Sequence, residues 1–357
     1  MEVGMFYLFE TLGEIEPGEF YRQALDHTIY GEELGFSAVC PAEHHFSADY
    51  GIMPRVELFL MACAVRTQRM KLWPMLIIAP LAHPIRLAED VALIDQFSQG
   101  RMIFSVGTGY RKYEHDKFGV DVKENPDRLR ETIEIVIRLF REDEVTYRGR
   151  FYSLEGVHLE PRPYQKPHPP VVITTTRDDQ IRYAAERGYW FVPAAGFNPG
   201  TVKKDLETYQ QVAGTLPPYR PFFKWIYVGE NHKKAVEEGT QWILKTLYAF
   251  AQGGGHLFQL LVGKALTAWG EESHPPDWLT TDISRIMASG IDYYTMVKSG
   301  WTPFVCGDPH HIREVLLPYK EAGASMFIGG FMNGPMPREK VRSSMRLFAE
   351  KVLPHLQ

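Results

Sequence analysis

Two adjacent histidines stand in Ala42-Glu43-His44-His45-Phe46, directly after a short apolar run. Residues 36–40 read as a buried strand that follows a helical pattern, and Pro41 ends it. In α/β barrels and open α/β sheets, ligands bind just past the carboxyl ends of the strands. Histidine titrates near neutrality, at about 6.5, so a histidine placed there can give or take a proton at little cost. Two blander roles fit the pair equally by position: a solvated loop, or a cap on neighbouring backbone. A metal site needs a ligand spacing such as His-Glu-x-x-His, which this stretch lacks.

Thr174-Thr175-Thr176-Arg177 closes another apolar run and precedes a helical pattern. Three hydroxyls, a helix N-terminus and a guanidinium suit an anion such as phosphate. An ordinary helix cap with strand-favouring threonines explains the same residues. Gly107-Thr108-Gly109 follows a further run, but Lys112 occupies the third glycine position of a dinucleotide fingerprint, so a nicotinamide site of that type is not expected. The glycines alone fit a tight βα turn. The chain has no Gly-x-Ser-x-Gly elbow, no Gly-x-x-x-x-Gly-Lys-Ser/Thr phosphate loop and no Cys-x-x-Cys pair. The paired acids Asp178-Asp179 and Glu271-Glu272 read as solvated.

The elements that must position these residues follow a regular rhythm. Strands are expected at residues 3–9, 36–40, 70–78, 102–106, 171–173, 189–192, 222–228 and 325–329. Helices are expected at 19–34, 56–65, 85–97, 126–140, 178–188, 199–213, 232–248, 308–322 and 338–352. The clearest is 126–140, where Leu129, Ile133, Val136, Ile137 and Phe140 form one apolar stripe. Asn125 is read as its cap and Pro126 as an early helical residue. Residues 145–159 read as a hairpin outside the main rhythm, and 109–125 as a long loop. Eight strands alternating with helices favour a single (β/α)8 TIM barrel over a doubly wound sheet. Residues 251–302 form an irregular insertion near the mouth. Its Trp269, Trp278, Tyr293, Tyr294 and Trp301 either cover the cavity or pack the segment down.

The chain has 357 residues, a 45% hydrophobic share and a net charge of −5. That supplies a sizeable core, and with no basic stretch it argues against nucleic acid. Three cysteines, Cys40, Cys63 and Cys306, make no disulfide framework and fit a reducing compartment. Neither a signal peptide nor a membrane span is read, so a cytoplasmic location is expected.

Several blocks together resemble the bacterial luciferase-like, flavin-dependent monooxygenases. They are Glu43-His44-His45-Phe46, Ala82-His83-Pro84-Ile85-Arg86-Leu87-Ala88-Glu89-Asp90, Leu93-Ile94-Asp95-Gln96-Phe97-Ser98-Gln99-Gly100-Arg101 and Phe118-Gly119-Val120-Asp121. The match is dense over the first half and thinner beyond. The resemblance implies a (β/α)8 barrel, dimeric, holding reduced FMN that a separate flavin reductase supplies. In the family, O2 adds at flavin C4a, and the resulting peroxide oxidises a small organic substrate. It implies a catalytic histidine at His44. It implies a non-proline cis bond at Met75-Leu76 beneath the flavin ring, where small residues are more usual. Thr108 stands where the family has a phosphate-binding arginine, so Arg111 or Arg177 is expected to supply that charge. Tyr110, Thr176, Arg177 and Gln180 match further phosphate contacts. An aromatic or apolar substrate and a homodimer through the helices at 56–65 and 85–97 complete the expectation. Two rivals stay open: a deazaflavin (F420) hydride-transfer enzyme of the same superfamily, and a non-catalytic barrel subunit that stabilises a partner.

Overall fold

The computed structural model describes residues 1–47, 50–175, 177–193, 198–252 and 304–356. Residues 251–302, expected as the irregular insertion, lie almost wholly outside the described residues. The tryptophans and tyrosines named in that stretch lie outside them as well.

The frame is α/β with parallel strands. Strands β1 (Glu2–Tyr7), β2 (Ala38–Pro41), β3 (Lys71–Leu72), β10 (Pro221–Val228), β11 (Phe304–Gly307) and β12 (Met326–Gly330) form one sheet in the order β11-β10-β12-β1-β2-β3. Strands β4 (Ile77–Ile78), β5 (Phe104–Gly107), β8 (Val171–Thr175) and β9 (Trp190–Pro193) form a second in the order β4-β5-β8-β9. A parallel bridge from Leu72 to Met102 joins the two. On the far side β9 lies against β10, but no ladder links them among the described residues. β2, β5, β10, β11 and β12 are buried along their whole length, as strands covered on both faces must be.

The helices cover this sheet: α1 (Pro17–Glu33), α2 (Val56–Arg66), α3 (Pro84–Ser98), α4 (Lys112–Phe118), α5 (Asn125–Arg141), α6 (Asp178–Glu186), α7 (Pro199–Ala213), α8 (His232–Gln252), α9 (Pro309–Glu321) and α10 (Arg338–Lys351). The α5 stripe is buried as expected, and Phe140 packs edge-on against Phe104 of β5. β6 (Val145–Arg148) and β7 (Ser153–Val157) pair as the expected antiparallel hairpin.

The structure corrects the sequence reading in four places. The expected strand at 70–78 is two short pieces, β3 and β4, interrupted at Pro74 and a cis Met75–Leu76 peptide. The expected loop at 109–125 contains α4, which Gly119 ends at φ 69°, a left-handed turn that glycine adopts freely. Asn125 is not the cap of α5. It opens the helix, and its side chain donates to the Thr108 carbonyl at 3.0 Å. Finally, β11 was not foreseen. No helix among the described residues is long and apolar enough to cross a membrane.

Candidate active site

Past Pro41, the β2 exit loop turns inward. Glu43, His44 and His45 are all buried. The Glu43 carboxylate accepts from the Ile78 amide at 2.9 Å and lies 2.9 Å from Nε2 of His45. His45 is thereby tied to the exit of β4. His44 faces elsewhere: its Nδ1 lies 3.1 Å from Oε1 of Glu114 on α4. The same oxygen accepts from the His45 amide at 2.9 Å.

The electrostatics of this pair are ordered by burial. Burial pushes the His44 imidazole below its ordinary value, and the Glu114 hydrogen bond only partly opposes it. Burial also acts to raise Glu114, but the His44 hydrogen bond and charge leave its carboxyl below the ordinary value. Both shifts describe a neutral imidazole beside a carboxylate. A carboxylate only accepts, so Nδ1 carries the proton and Nε2 holds a lone pair. Nε2 makes no hydrogen bond among the described residues. Gly51 lets this loop close over the histidine, since a Cβ there would sit 2.7 Å from the His44 Cβ.

Aromatic rings enclose the dyad. Tyr50 meets His44 edge-on with centroids 4.5 Å apart, and the Tyr50 and Tyr110 hydroxyls hydrogen-bond. The Arg111 guanidinium lies over the Tyr50 ring at 3.5 Å and is itself buried. Burial pushes the Tyr50 hydroxyl well above its ordinary value, and the hydroxyl of Tyr110, whose ring is partly exposed, is raised as well, so both are protonated at neutral pH. Buried cysteines contribute no chemistry here: all three are free, and burial raises each thiol. Among the described residues no group of three or more His, Cys, Asp or Glu is placed to hold a metal ion.

The cis Met75–Leu76 unit lies between this loop and the exit of β5. Met75 donates its amide to the Pro41 carbonyl at 2.8 Å, and the Leu76 carbonyl accepts from Glu43 at 3.4 Å. On the other side Leu76 packs on Gly107, where a Cβ would meet Leu76 Cδ2 at 2.5 Å. Any larger residue there would have to displace the Leu76 side chain.

A second cluster opens beyond Gly107. A cleft of about 170 Å³ is lined by Thr108, Tyr110, Asn125, Thr174, Arg177 and Gln180 among others. Thr174 Oγ1, Asn125 Oδ1 and Gln180 Oε1 are buried in its walls without a hydrogen-bond partner among the described residues. Unpaired polar atoms of this kind are costly unless a ligand or water meets them. Arg177 is exposed and holds Asp179 in a two-point bond at 2.9 and 3.0 Å, at the start of α6. The structure therefore brings Thr108, Tyr110, Arg177 and Gln180 to one cleft, with Met75 and Leu76 between it and His44. It does not bring Arg111 there: that side chain serves the His44 shell instead. Thr176 lies outside the described residues.

Sequence reasoning missed Glu114, Tyr50, His115 and Asn125 as site residues. His115 Nε2 and Asn125 Nδ2 both lie 3.0 Å from the Thr108 carbonyl and fix the floor of the cleft. The available signal was the spacing of Arg111, Glu114 and His115, which places the three on one side of a helical turn.

A family model for the luciferase-like monooxygenases matches residues 1–326, and the chain belongs to that family. Limonene 1,2-monooxygenase of Rhodococcus erythropolis is 29% identical over 186 residues, 52% of this chain and 48% of that protein. The chain spans about half the length of the first curated relatives it matches. A monooxygenase crystal structure from Streptomyces bottropensis covers both chains fully at 26% identity and a TM-score of 0.83. The oxygenating constituent of 3,6-diketocamphane monooxygenase from Pseudomonas putida, solved with FMN, aligns over 99% of this chain and 98% of its own. Its identity is 18% and its TM-score 0.77, a likeness of fold. The F420-dependent tetrahydromethanopterin reductase of Methanopyrus kandleri shares the fold at a TM-score of 0.70 and 18% identity, over 100% of this chain and 99% of that one.

Proposed function

We propose that this protein is the oxygenase component of a two-component, FMN-dependent monooxygenase that oxidises a small organic substrate. In this reading the two sheets form one (β/α)8 barrel. The observation that carries it is a neutral His44, backed by the Glu114 carboxylate, one cis peptide away from a cleft with unsatisfied oxygens. The family and the FMN-bound neighbour support the choice of cofactor.

The Thr174 end of the cleft fits the phosphate of FMN, while the Asn125 and Gln180 carbonyl oxygens can only accept, as from its ribityl hydroxyls. The Thr174 hydroxyl can donate to a phosphate oxygen, the α6 N-terminus adds a positive field, and Arg177 is placed to add charge. When bound and reduced by a separate reductase, FMN supplies the electrons that activate O2. The chain's own residues supply the setting. Met75 and Leu76 offer an apolar support between the cleft and His44. The Tyr50, Tyr110 and Arg111 stack keeps bulk water from the dyad. His44 takes or gives a proton at Nε2, and Glu114 stabilises the imidazolium that forms.

Turnover tests the reading. With FMNH2 and oxygen, the protein is expected to oxidise a panel of apolar and aromatic compounds. Hydride transfer from reduced F420 without oxygen would move the deazaflavin reading, which the shared fold keeps in view, to the front. No activity with either cofactor would favour a non-catalytic barrel subunit.

We also propose a homodimer through α2 and α3. Leu58, Val65 and Phe97 expose 67%, 56% and 60% of their surface on these two packed helices, more apolar area than a solvated face calls for. Sedimentation is expected to show a dimer that Leu58→Asp with Phe97→Asp converts to monomer. A wild-type monomer would remove this part of the account.

A further inference from the structure

Glu10 is a buried carboxyl that the proposed reaction leaves unused. It stands at the exit of β1 with 1% of its surface exposed. One oxygen is fully engaged: Oε1 accepts from Thr246 Oγ1 of α8 at 2.8 Å and from the Gly334 amide at 2.9 Å. The other, Oε2, is buried and has no partner among the described residues. Next to Gly334 in the chain, Asn333 is fully buried, and its Nδ2 donates to the Gly330 carbonyl at 3.1 Å. Its Oδ1 is also buried and without a partner among the described residues. Two unmet acceptors thus flank the exits of adjacent strands β1 and β12.

The neighbourhood is aromatic and belongs to the mouth. Phe6 of β1 meets Phe223 of β10 at 4.7 Å, and Phe223 meets Trp225 at 4.7 Å. Trp225 packs on Gly330, where a Cβ would come within 2.7 Å of its ring. The β1 exit is also tied to the histidine loop, since Ile52 donates to the Phe9 carbonyl at 3.1 Å and His44 to the Met53 carbonyl at 3.0 Å. A group held beside Glu10 therefore lies on the flank of β1 opposite His44.

We propose that Glu10 and Asn333 form an acceptor pair that anchors a hydroxyl or amine hydrogen of the substrate, whose apolar body rests on the Phe6, Phe223 and Trp225 wall. The inference deepens the oxygenase reading by naming the class of substrate: an apolar or ring-bearing molecule with one hydrogen-bond donor. Two unmet acceptors select for a donor, because a ligand without one leaves both buried and unpaired. Burial pushes the Glu10 carboxyl up to about 7, so Oε2 is a bare acceptor above that pH and itself carries the proton below it, and the titration is run above that value.

Fluorine NMR titration of the full chain tests this with probes rather than with the unknown substrate. para-Fluorobenzyl alcohol carries the donor, para-fluorotoluene lacks it, and para-fluoroacetophenone offers only an acceptor. Wild-type protein is expected to bind the alcohol about tenfold more tightly than the toluene. In Glu10→Gln the amide oxygen can keep Thr246 and Gly334 while an NH2 replaces Oε2. That variant is expected to lose the alcohol preference and gain affinity for the ketone, and Asn333→Leu to lose part of the preference with no ketone gain. Equal affinity of alcohol and toluene, no binding of either, or a preference untouched by Glu10→Gln overturns the proposal. The titration needs no turnover. If FMN fails to bind in the same samples while the preference persists, the flavin reading falls and the anchor stands.

Discussion

The exits of β2 and of β8 present polar groups to the same end of the sheet, yet their hydrogen bonding differs. At the β2 exit, Glu43, His45 and the Nδ1 of His44 are tied by bonds of 2.9 to 3.1 Å within the chain, although the second Glu114 oxygen, Oε2, is buried without a partner among the described residues. At the β8 exit, Thr174, Gln180 and the neighbouring Asn125 keep buried oxygens with no partner. A network bonded at these atoms fixes their orientation and protonation before any ligand arrives. An unsatisfied one gains most of its stability when a ligand supplies the missing bonds. The first region therefore reads as machinery for proton transfer and the second as a binding cradle, and substitutions should separate them.

The largest effect is expected at the first region. His44→Ala should lower kcat by about 10²–10⁴-fold while leaving the Kd for FMNH2 within about threefold. Steady-state rates with a paired anaerobic titration check both halves. Equal loss of binding and rate would erase the distinction between the regions.

Glu114→Gln sharpens it. The amide still accepts from Nδ1 but no longer stabilises the imidazolium, so kcat should fall roughly tenfold or more. Glu114 also acts to raise His44. Its removal should move the acid limb of the pH–rate profile to lower pH. An unmoved limb would detach Glu114 from the His44 proton.

Thr174→Val addresses the cradle. It removes the unpartnered hydroxyl, so the Kd for FMN should rise about three- to tenfold, with kcat at saturating FMN nearly unchanged. A fall in kcat without a change in Kd would place Thr174 with the chemistry instead.

The smallest effect separates site chemistry from the scaffold. His27 is buried in α1, and burial, with Arg342 nearby, pushes it down to about 4. The unfolded chain titrates it at about 6.5, so the unfolded state binds the extra proton. Its contribution to stability is complete above pH 6.5 and is lost as the pH falls toward 4. The loss should be roughly 1–3 kcal/mol. Urea unfolding of wild type and His27→Leu between pH 7 and 4 should show a slope that the variant lacks.

The sequence made the strand rhythm legible because strands covered on both faces are continuous apolar runs, as at Val171-Val172-Ile173 and Met326-Phe327-Ile328. The α5 stripe was legible for the equivalent helical reason. α4 was not, because its buried side is Glu114 and His115, and polar residues facing inward erase the apolar period. β11 is four residues long and carries no alternation to read. His44 could be singled out from its place after a strand. Its partner could not: Glu114 is 70 residues away, and only the fold brings the two within 3.1 Å. Arg111 shows the converse. The family resemblance offered it as a replacement for the phosphate-binding arginine absent at Thr108, but Tyr50 and Tyr110 claim it.

The most direct test is an anaerobic equilibrium titration of the full chain with FMNH2 and with reduced F420, for wild type and Thr174→Val. The account predicts that wild type binds FMNH2 more tightly than reduced F420, and that the variant weakens FMNH2 alone. Tighter binding of F420, or no binding of either, would contradict the FMN-dependent reading at its foundation.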